Sequence, residues 1–307
     1  MDARFRESFA PVSTERSEVA TARSGSAVCL YLEHFGLRER PFSLQPDPAY
    51  LYWSEEHARA YAMLEYGLAS FAPIIVITGE IGAGKTTLVR HLLSSAPSSL
   101  QVGLISDVHG NRGQLLQWIL RALGDNEAEK SMSYVKRLSR FEEYLHRQAM
   151  AGNRTLLVFD EAQNLSAKKL EELRCFSNLN GGNMELLQLL LVGQPELNEI
   201  LARPRLLQFA QRVSAKHHLS GMPLSAVRPY INHRLVTAGA KSWIFTPGAC
   251  DLVAAASAGL PRVINQICDY ALVYAFAEGR TVVAADLVQQ VIDERGIRSL
   301  VPQPAAR

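Results

Sequence analysis

Apolar positions along the chain follow two periodicities, and together they predict strands separated by helices. Consecutive apolar residues predict buried strands at 74–78, 102–106, 155–159 and 186–192, with a weaker strand at 213–219. Apolar residues at helical spacing predict helices at 54–68, 88–93, 112–123, 134–150 and 167–179. Continuous apolar strands separated by helices are typical of a parallel sheet that is covered on both faces.

Beyond residue 222 the strand pattern stops. Helical patterns follow at 224–238, 247–256, 262–277 and 284–297, and they predict a compact second domain made of helices. Residues 1–28 contain few large apolar side chains, so their burial cannot offset the entropy of ordering and we expect a disordered tail. The predicted organisation is a tail at 1–28, an α/β core at 29–221, a helical domain at 222–297 and a tail at 298–307.

The composition is that of an ordinary globular protein. Of 307 residues, 48% are hydrophobic and 20% are charged, which provides enough apolar material for a core. Four scattered cysteines form no metal-binding pattern and predict reduced thiols. We expect no transmembrane segment, because no apolar run approaches about 18 residues. We expect no secretion signal, because the N-terminus carries Asp2, Arg4 and Glu7 and lacks an apolar core. These expectations favour a cytoplasmic location.

A glycine-rich segment lies between the first predicted strand and a predicted helix. It reads G-x-x-x-x-G-K-T and comprises Gly79, Glu80, Ile81, Gly82, Ala83, Gly84, Lys85, Thr86 and Thr87. Its glycines let backbone N–H groups point inward, and the positive end of the following helix completes a cradle for phosphates. Lys85 adds a positive charge, and the Thr86 hydroxyl suits the shell of a Mg²⁺ ion. The segment predicts binding of ATP with Mg²⁺, since a chance glycine turn would not have matching flanks.

Two adjacent carboxylates, Asp160 and Glu161, follow the apolar run 155–159. We expect Asp160 to hold Mg²⁺ together with Thr86, and Glu161 to orient and deprotonate the attacking water. An isolated acidic pair could be a solvated turn, but downstream of a phosphate loop it fits the Walker B element. The pair favours hydrolysis of the nucleotide and not only its sensing.

Gln194 follows the next apolar run along the chain. Because the carboxyl ends of neighbouring parallel strands meet at one crevice, Gln194 is a candidate to hydrogen-bond the γ-phosphate or the water, the sensor 1 role. Alternatively, it is a polar loop residue that caps the following helix.

Further motifs complete a resemblance that covers roughly residues 31–295. They are Y-L-E-H-F-G-L at 31–37, P-F at 41–42, P-D-P at 46–48, L-Y at 51–52, D-E-A-Q at 160–163, L-V-G-Q-P-E-L at 191–197, Q-R at 211–212 and G-L-P-R at 259–262. With the segments above, the chain resembles AAA+ ATPases of the ExeA/GspA type, named from the general secretion pathway. The same module resembles transposition helpers and ATPases associated with exopolysaccharide or exosortase loci. The resemblance implies a P-loop NTPase core of three αβα layers and a C-terminal helical lid.

The resemblance also implies roles for two arginines. Arg212 matches the family's arginine finger, supplied in trans to the nucleotide of a neighbouring subunit, which implies an ATP-dependent homo-oligomer. Arg262 matches sensor 2, which reaches the γ-phosphate from the helical domain. Arginine suits both roles because it neutralises charge that spreads over the transferred phosphoryl oxygens. Either side chain could instead lie on a solvated face.

No acidic residue occurs between Glu199 and Asp251. This stretch, residues 200–250, contains ten basic or histidine residues: Arg203, Arg205, Arg212, Lys216, Arg228, Arg234, Lys241, His217, His218 and His233. They could form a face that follows the phosphates of duplex DNA. They could equally be solvated edges, a reading favoured by the lack of a recognition-helix pattern or of accompanying stacking aromatics.

Two hypotheses about function therefore remain. In the first, ATP hydrolysis drives assembly or remodelling of an unidentified cytosolic protein partner, related by resemblance to secretion or export. In the second, the chain is an ATP-dependent DNA-binding ATPase that helps transposition or partition. A nucleotide-dependent scaffold without hydrolysis is a weaker alternative, and Glu161 argues against it.

Overall fold

The computed structural model describes residues 27–106, 114–125, 132–179 and 186–296. Its strands are β1 (Ile74–Gly79), β2 (Leu100–Ile105), β3 (Arg154–Phe159), β4 (Leu187–Gly193) and β5 (Val213–Leu219). Its helices are α1 (Ala27–His34), α2 (Glu55–Ala69), α3 (Lys85–Ser94), α4 (Gln114–Ala122), α5 (Tyr134–Met150), α6 (Ala167–Phe176), α7 (Glu196–Leu201), α8 (Leu207–Ala210), α9 (Leu224–Thr237), α10 (Pro247–Ser257), α11 (Pro261–Ala277) and α12 (Ala285–Arg295).

The strands form one sheet in the order β2–β3–β4–β1–β5, and every neighbouring pair is parallel. The predicted parallel sheet is therefore confirmed. The two strands on either side of β1 come late in the chain, so the first strand of the sequence lies inside the sheet. All six residues of β1 and all seven of β4 are buried, as their continuous apolar runs require.

Helices cover both faces of the sheet. Ile74 and Val76 of β1 belong to one apolar cluster that includes buried residues of α4, α5 and α6. Ile75 points to the other face, where a Cβ added at Gly67 of α2 would lie 2.9 Å from its side chain. This alternation of successive side chains produces three layers, helices, sheet and helices.

The chain divides into two compact units. Of the described residues, one unit comprises those between 53 and 221 and contains the sheet, and the other combines residues 27–52 with the helices between 222 and 296. The sequence assigned residues 29–52 to the α/β core, and the structure corrects this. Within the helical unit, the Arg38 N–H donates to the Ala238 carbonyl at 2.8 Å, and the rings of Phe42 and Phe245 meet edge to face.

The ends of the chain fall mostly outside the described residues. Of the predicted tail at 1–28, residues 27 and 28 are described, and they begin α1. The predicted tail at 298–307 is not among the described residues. The predicted helix at 112–123 corresponds to α4, and its residues 112 and 113 lie outside the described residues.

Candidate nucleotide site

The loop between β1 and α3 curls because two of its glycines adopt left-handed backbone conformations. Gly82 has φ 80° and Gly84 has φ 100°, values that L side chains rarely adopt. The Ala83 N–H donates to the Glu80 carbonyl at 3.1 Å and closes the turn. Gly84 is the N-cap of α3 and has no side chain that could cover the first N–H groups of the helix. The loop therefore presents N–H donors at the positive end of a helix, which is the arrangement that binds phosphate.

Lys85 is the first residue of α3 and is only 9% exposed. Its ammonium donates to the backbone carbonyls of Gly79 at 2.6 Å and Glu80 at 2.9 Å. Burial lowers the pKa of Lys85, and the carboxylates of Glu161 and Asp160 oppose that shift. The loop thus holds this cation against its own backbone, close enough to the acidic pair for the carboxylates to act on its pKa.

Thr86 and Asp160 meet at the carboxyl edge of the sheet. The Thr86 hydroxyl donates to Asp160 Oδ2 at 3.2 Å, although 74 residues separate them in sequence. A hydroxyl and a carboxylate are the hard oxygen ligands that Mg²⁺ prefers. Among the described residues no group of three or more His, Cys, Asp or Glu side chains could hold a metal ion. The pair fits a Mg²⁺ ion whose remaining ligands would be phosphate oxygens and water.

Glu161 and Gln194 also come together, as the sequence predicted for neighbouring strand ends. The Gln194 side-chain amide donates to Glu161 Oε2 at 3.1 Å. Glu161 leaves β3 in a left-handed conformation with φ 54°, which is unusual for a residue with a side chain. The chain therefore turns away from the strand direction at Glu161, and the Glu161 side chain is exposed to solvent.

Gln163, two residues beyond Glu161, is a member of this cluster to which the sequence analysis assigned no role. Its amide donates to Glu161 Oε2 at 2.5 Å, and its carbonyl oxygen accepts the backbone N–H of Gln194 at 3.0 Å. The signal in the sequence was its place as the last residue of the D-E-A-Q segment at 160–163.

A part of the chain matches a known family model. Residues 70–201, which contain the loop, the acidic pair and Gln194, match the model described as an AAA domain. Over 273 residues, 88% of this chain, the sequence is 38% identical to General secretion pathway protein A of Aeromonas hydrophila. Residues 70–201 are therefore similar to an AAA domain. The chain as a whole is similar to General secretion pathway protein A, and it spans about half of that relative, 49% of its length.

Several solved structures share this fold. Cdc6p from Pyrobaculum aerophilum aligns with a TM-score of 0.68 and 17% identity, over 83% of this chain and 70% of that one. ORC1 of Aeropyrum pernix, solved in complex with DNA, aligns with a TM-score of 0.62 and 19% identity, over 83% and 69%. At such low identity the likeness establishes the fold alone.

His57 packs against the glycine-rich loop, and the sequence analysis assigned it no role. The side chain is 4% exposed, and Nε2–H donates to the Ala83 carbonyl at 3.0 Å. Because a carbonyl only accepts, Nδ1 is the acceptor for the Ser54 hydroxyl at 2.7 Å. A Cβ at Gly84 would lie 2.9 Å from Nε2. No sequence pattern marks a histidine that lies 26 residues before the carbonyl it bonds.

Arg212 lies at the opposite edge of the sheet from the loop. Strand β5 pairs with β1 from Val213 beside Ile74 to Leu219 beside Gly79, about 17 Å at ~3.3 Å per residue. The Arg212 guanidinium donates to the Ser177 hydroxyl at 3.2 Å and carbonyl at 3.4 Å, just beyond α6. This position argues against contact with phosphates in its own loop.

Arg262 is the second residue of α11 and is exposed. The turn before it requires glycine, because Gly259 has φ 73° and a Cβ there would lie 1.9 Å from the Met222 carbonyl oxygen. Within the helical unit, the Met222 N–H donates to the Gly259 carbonyl at 2.9 Å. This tight turn presents Arg262 at the start of a helix, and its role toward a γ-phosphate stays a prediction.

The residues of the basic stretch fall into both units, and one of them, Arg234, is buried. Arg234 is only 7% exposed, and its guanidinium donates to the Pro41 carbonyl at 2.5 Å and the Tyr230 hydroxyl at 3.2 Å. It therefore serves the packing of the helical unit. The remaining lysines and arginines, apart from the half-buried Arg212, are exposed: Arg203, Arg205 and Lys216 in one unit, and Arg228 and Lys241 in the other.

An exposed aromatic does accompany these charges, contrary to the sequence analysis. The Trp243 side chain is 60% exposed, and the Arg228 guanidinium carbon lies 5.5 Å from its ring centroid. Both residues line a surface cavity of about 290 Å³ in the helical unit.

Two further expectations concern the rest of the chain. Cys175, Cys250 and Cys268 are free thiols, as predicted for reduced cysteines. In the part of the chain that the structure describes, no helix combines the length and apolar character needed to cross a membrane.

Proposed function

We propose that this chain is an AAA+ ATPase, which binds ATP with Mg²⁺ and hydrolyses it at the carboxyl edge of the sheet. The observation that carries the proposal is the convergence there of elements far apart in sequence. The Lys85 ammonium, the Thr86–Asp160 pair and the Glu161–Gln194 pair all lie at the ends of β1, β3 and β4. A phosphate cradle, hard oxygen ligands and a carboxylate base are the parts that phosphoryl transfer requires.

Each part has a distinct task in the proposal. The loop N–H groups and Lys85 bind the β- and γ-phosphates, and Thr86 and Asp160 hold Mg²⁺. The metal would neutralise charge on the phosphoryl oxygens. Glu161 accepts a proton from the attacking water, and Gln194 orients the water or the γ-phosphate. The turn at Glu161 supports this role because it leaves the carboxylate accessible to solvent.

Separation of binding from chemistry tests the proposal. Glu161→Gln keeps the side chain's size but removes the base, so ATP should bind with unchanged affinity while hydrolysis falls at least ~10²-fold. Calorimetric titration measures the affinity, and release of inorganic phosphate measures the rate. Glu199→Gln, an exposed residue on α7, makes the same chemical change away from the acidic pair and should hydrolyse normally. Normal hydrolysis by Glu161→Gln would show that the acidic pair is a solvated turn.

The proposal extends to assembly and to the helical unit. Since Arg212 lies at the edge of the sheet opposite its own loop, the arrangement supports a finger that acts on a neighbouring subunit's nucleotide. The active form is then a homo-oligomer that ATP stabilises. Arg262 serves as sensor 2, and the helical unit acts as a lid.

We further propose that hydrolysis drives assembly or remodelling of a cytosolic protein partner. The support is the similarity to General secretion pathway protein A, of which this chain spans about half. A role in secretion or export is part of this proposal.

A second candidate function is ATP-dependent binding of duplex DNA. The observation that favours it is the exposed Arg228–Trp243 pair within an acid-free stretch, because a cation and an exposed ring suit a nucleic acid backbone and base. DNA binding that appears only with ATP and weakens steeply with salt would support this function. Its absence at low salt, with ATP bound, would leave the protein-partner function.

A further inference from the structure

Two side-chain amides donate to one oxygen of Glu161. Gln163 Nε2 lies 2.5 Å from Glu161 Oε2, and Gln194 Nε2 lies 3.1 Å from the same atom. Such hydrogen bonds to a carboxylate are stronger than bonds between neutral groups. The orientation of the Glu161 carboxylate is therefore set by its neighbours, although the residue is exposed to solvent.

The orientation of the Gln163 amide is determined by the backbone. Its oxygen lies 3.0 Å from the Gln194 backbone nitrogen, which can only donate, so the amide nitrogen must face Glu161. Gly193 leaves room for this arrangement, since a Cβ there would lie 3.1 Å from the Gln163 oxygen. Gln163 thus bridges the end of β4 and the carboxylate that follows β3.

We propose that Gln163 is a positioning residue that couples the end of β4 to the orientation of Glu161. The inference rests on the proposed function, in which Glu161 is the base. When the Gln194 side chain engages phosphate, its backbone N–H can shift, and the Gln163 carbonyl oxygen that accepts this N–H shifts with it. The amide nitrogen of Gln163, which donates to Glu161, then moves as well. The orientation of the Glu161 carboxylate thus depends on the position of the residue that follows β4. A misplacement of about 1 Å is enough to reduce a catalytic rate by ~10²-fold, so this coupling has a measurable effect.

Two substitutions separate the two halves of the bridge. Gln163→Leu removes both polar atoms, whereas Gln163→Glu keeps an acceptor for the Gln194 N–H but loses the donor to Glu161. We expect kcat to fall roughly 10- to 10²-fold in both variants, with ATP affinity and KM within about twofold of wild type. Phosphate release gives kcat and KM, and calorimetric titration gives the affinity.

A matched control lies on the same strand. Gln188 of β4 is buried, and its amide donates to the carbonyls of Gly67 at 3.2 Å and Ala72 at 3.1 Å, near the other end of the strand. Gln188→Leu should lower the thermal unfolding midpoint and leave kcat unchanged. Gln163 is only half-buried, so Gln163→Leu should leave the thermal unfolding midpoint unchanged and lower kcat.

The decisive comparison uses the Glu161→Gln background. If Gln163 acts through Glu161, Gln163→Leu should not lower kcat further in the Glu161→Gln background. If Gln163 has a general structural role, the substitution should lower kcat by the same factor in both backgrounds. A Gln163→Leu or Gln163→Glu enzyme at the wild-type rate, beside an inactive Glu161→Gln enzyme, would overturn this inference alone. So would an additive loss in the double variant. Hydrolysis that survives Glu161→Gln would overturn the proposed function, and this inference with it.

Discussion

Arg212→Ala tests whether one subunit completes the site of another. The guanidinium precedes β5 at the amino edge of the sheet, and its own phosphate loop follows β1 at the carboxyl edge. The aligned parts of the two strands span about 17 Å at ~3.3 Å per residue, more than an arginine side chain can bridge. Among the described residues of its own subunit, the hydrogen bonds that the substitution removes are those to Ser177.

The expected magnitude follows from that geometry. An arginine finger contributes roughly 10³-fold or more to phosphoryl transfer, so Arg212→Ala should bind ATP normally and lose about that factor in rate. In the wild type, specific hydrolysis should rise with protein concentration, because each site is incomplete until a neighbour docks. Arg205→Ala provides the control, since Arg205 is an exposed arginine close by and should be dispensable.

A mixing assay distinguishes an arginine finger that acts on a neighbouring subunit from an arginine that acts within its own subunit. Arg212→Ala protein keeps an intact loop and base, and Glu161→Gln protein keeps an intact Arg212 and binds ATP. Each is slow alone, but an excess of Glu161→Gln should restore phosphate release by Arg212→Ala subunits. Lack of rescue, with oligomerisation by ATP unchanged in light scattering, would refute a finger that acts in trans.

Three further predictions concern the loop and its support. Lys85→Ala should abolish ATP binding in calorimetric titration, because the phosphates lose their buried cation, and wild-type affinity would contradict the assignment of the loop. Gly79→Ala should destabilise the fold by ~2 kcal/mol or more in urea unfolding, because its Cβ would lie 2.2 Å from the Leu219 carbonyl oxygen. Gly248→Ala, whose Cβ meets its nearest neighbour at 3.9 Å, should not destabilise the fold. Burial lowers the pKa of His57, so its stabilisation is present above the unfolded pKa of ~6.5 and is lost as pH falls. His57→Gln should therefore weaken the dependence of unfolding free energy on pH between about pH 7 and 5, and an unchanged slope would refute this.

The elements and the loop could be predicted from the sequence because each depends on local pattern. The predicted strand at 213–219 and helix at 134–150 have the bounds of β5 and α5. Continuous apolar runs require burial on both faces, which parallel sheets covered by helices provide. The G-x-x-x-x-G-K-T segment specifies its own turn, since its glycines permit the left-handed backbone that the structure shows. Asp160, Glu161 and Gln194 were identifiable because strand ends converge in any parallel sheet.

Long-range contacts needed the tertiary structure. The order β2–β3–β4–β1–β5 places the loop strand between β4 and β5. Because β5 pairs in parallel with β1, Arg212 lies at the amino ends of the strands, whereas the loop follows their carboxyl ends. Arg234 looks like a surface cation in the sequence, yet carbonyls of a distant segment hold it in the helical unit. His57 belongs to no motif, and the D-E-A-Q segment at 160–163 does not reveal what Gln163 contacts. Their partners are brought within hydrogen-bond distance by folding. Periodicity is read from neighbours along the chain, whereas burial and pairing depend on which remote segments pack together, and only the tertiary structure decides that.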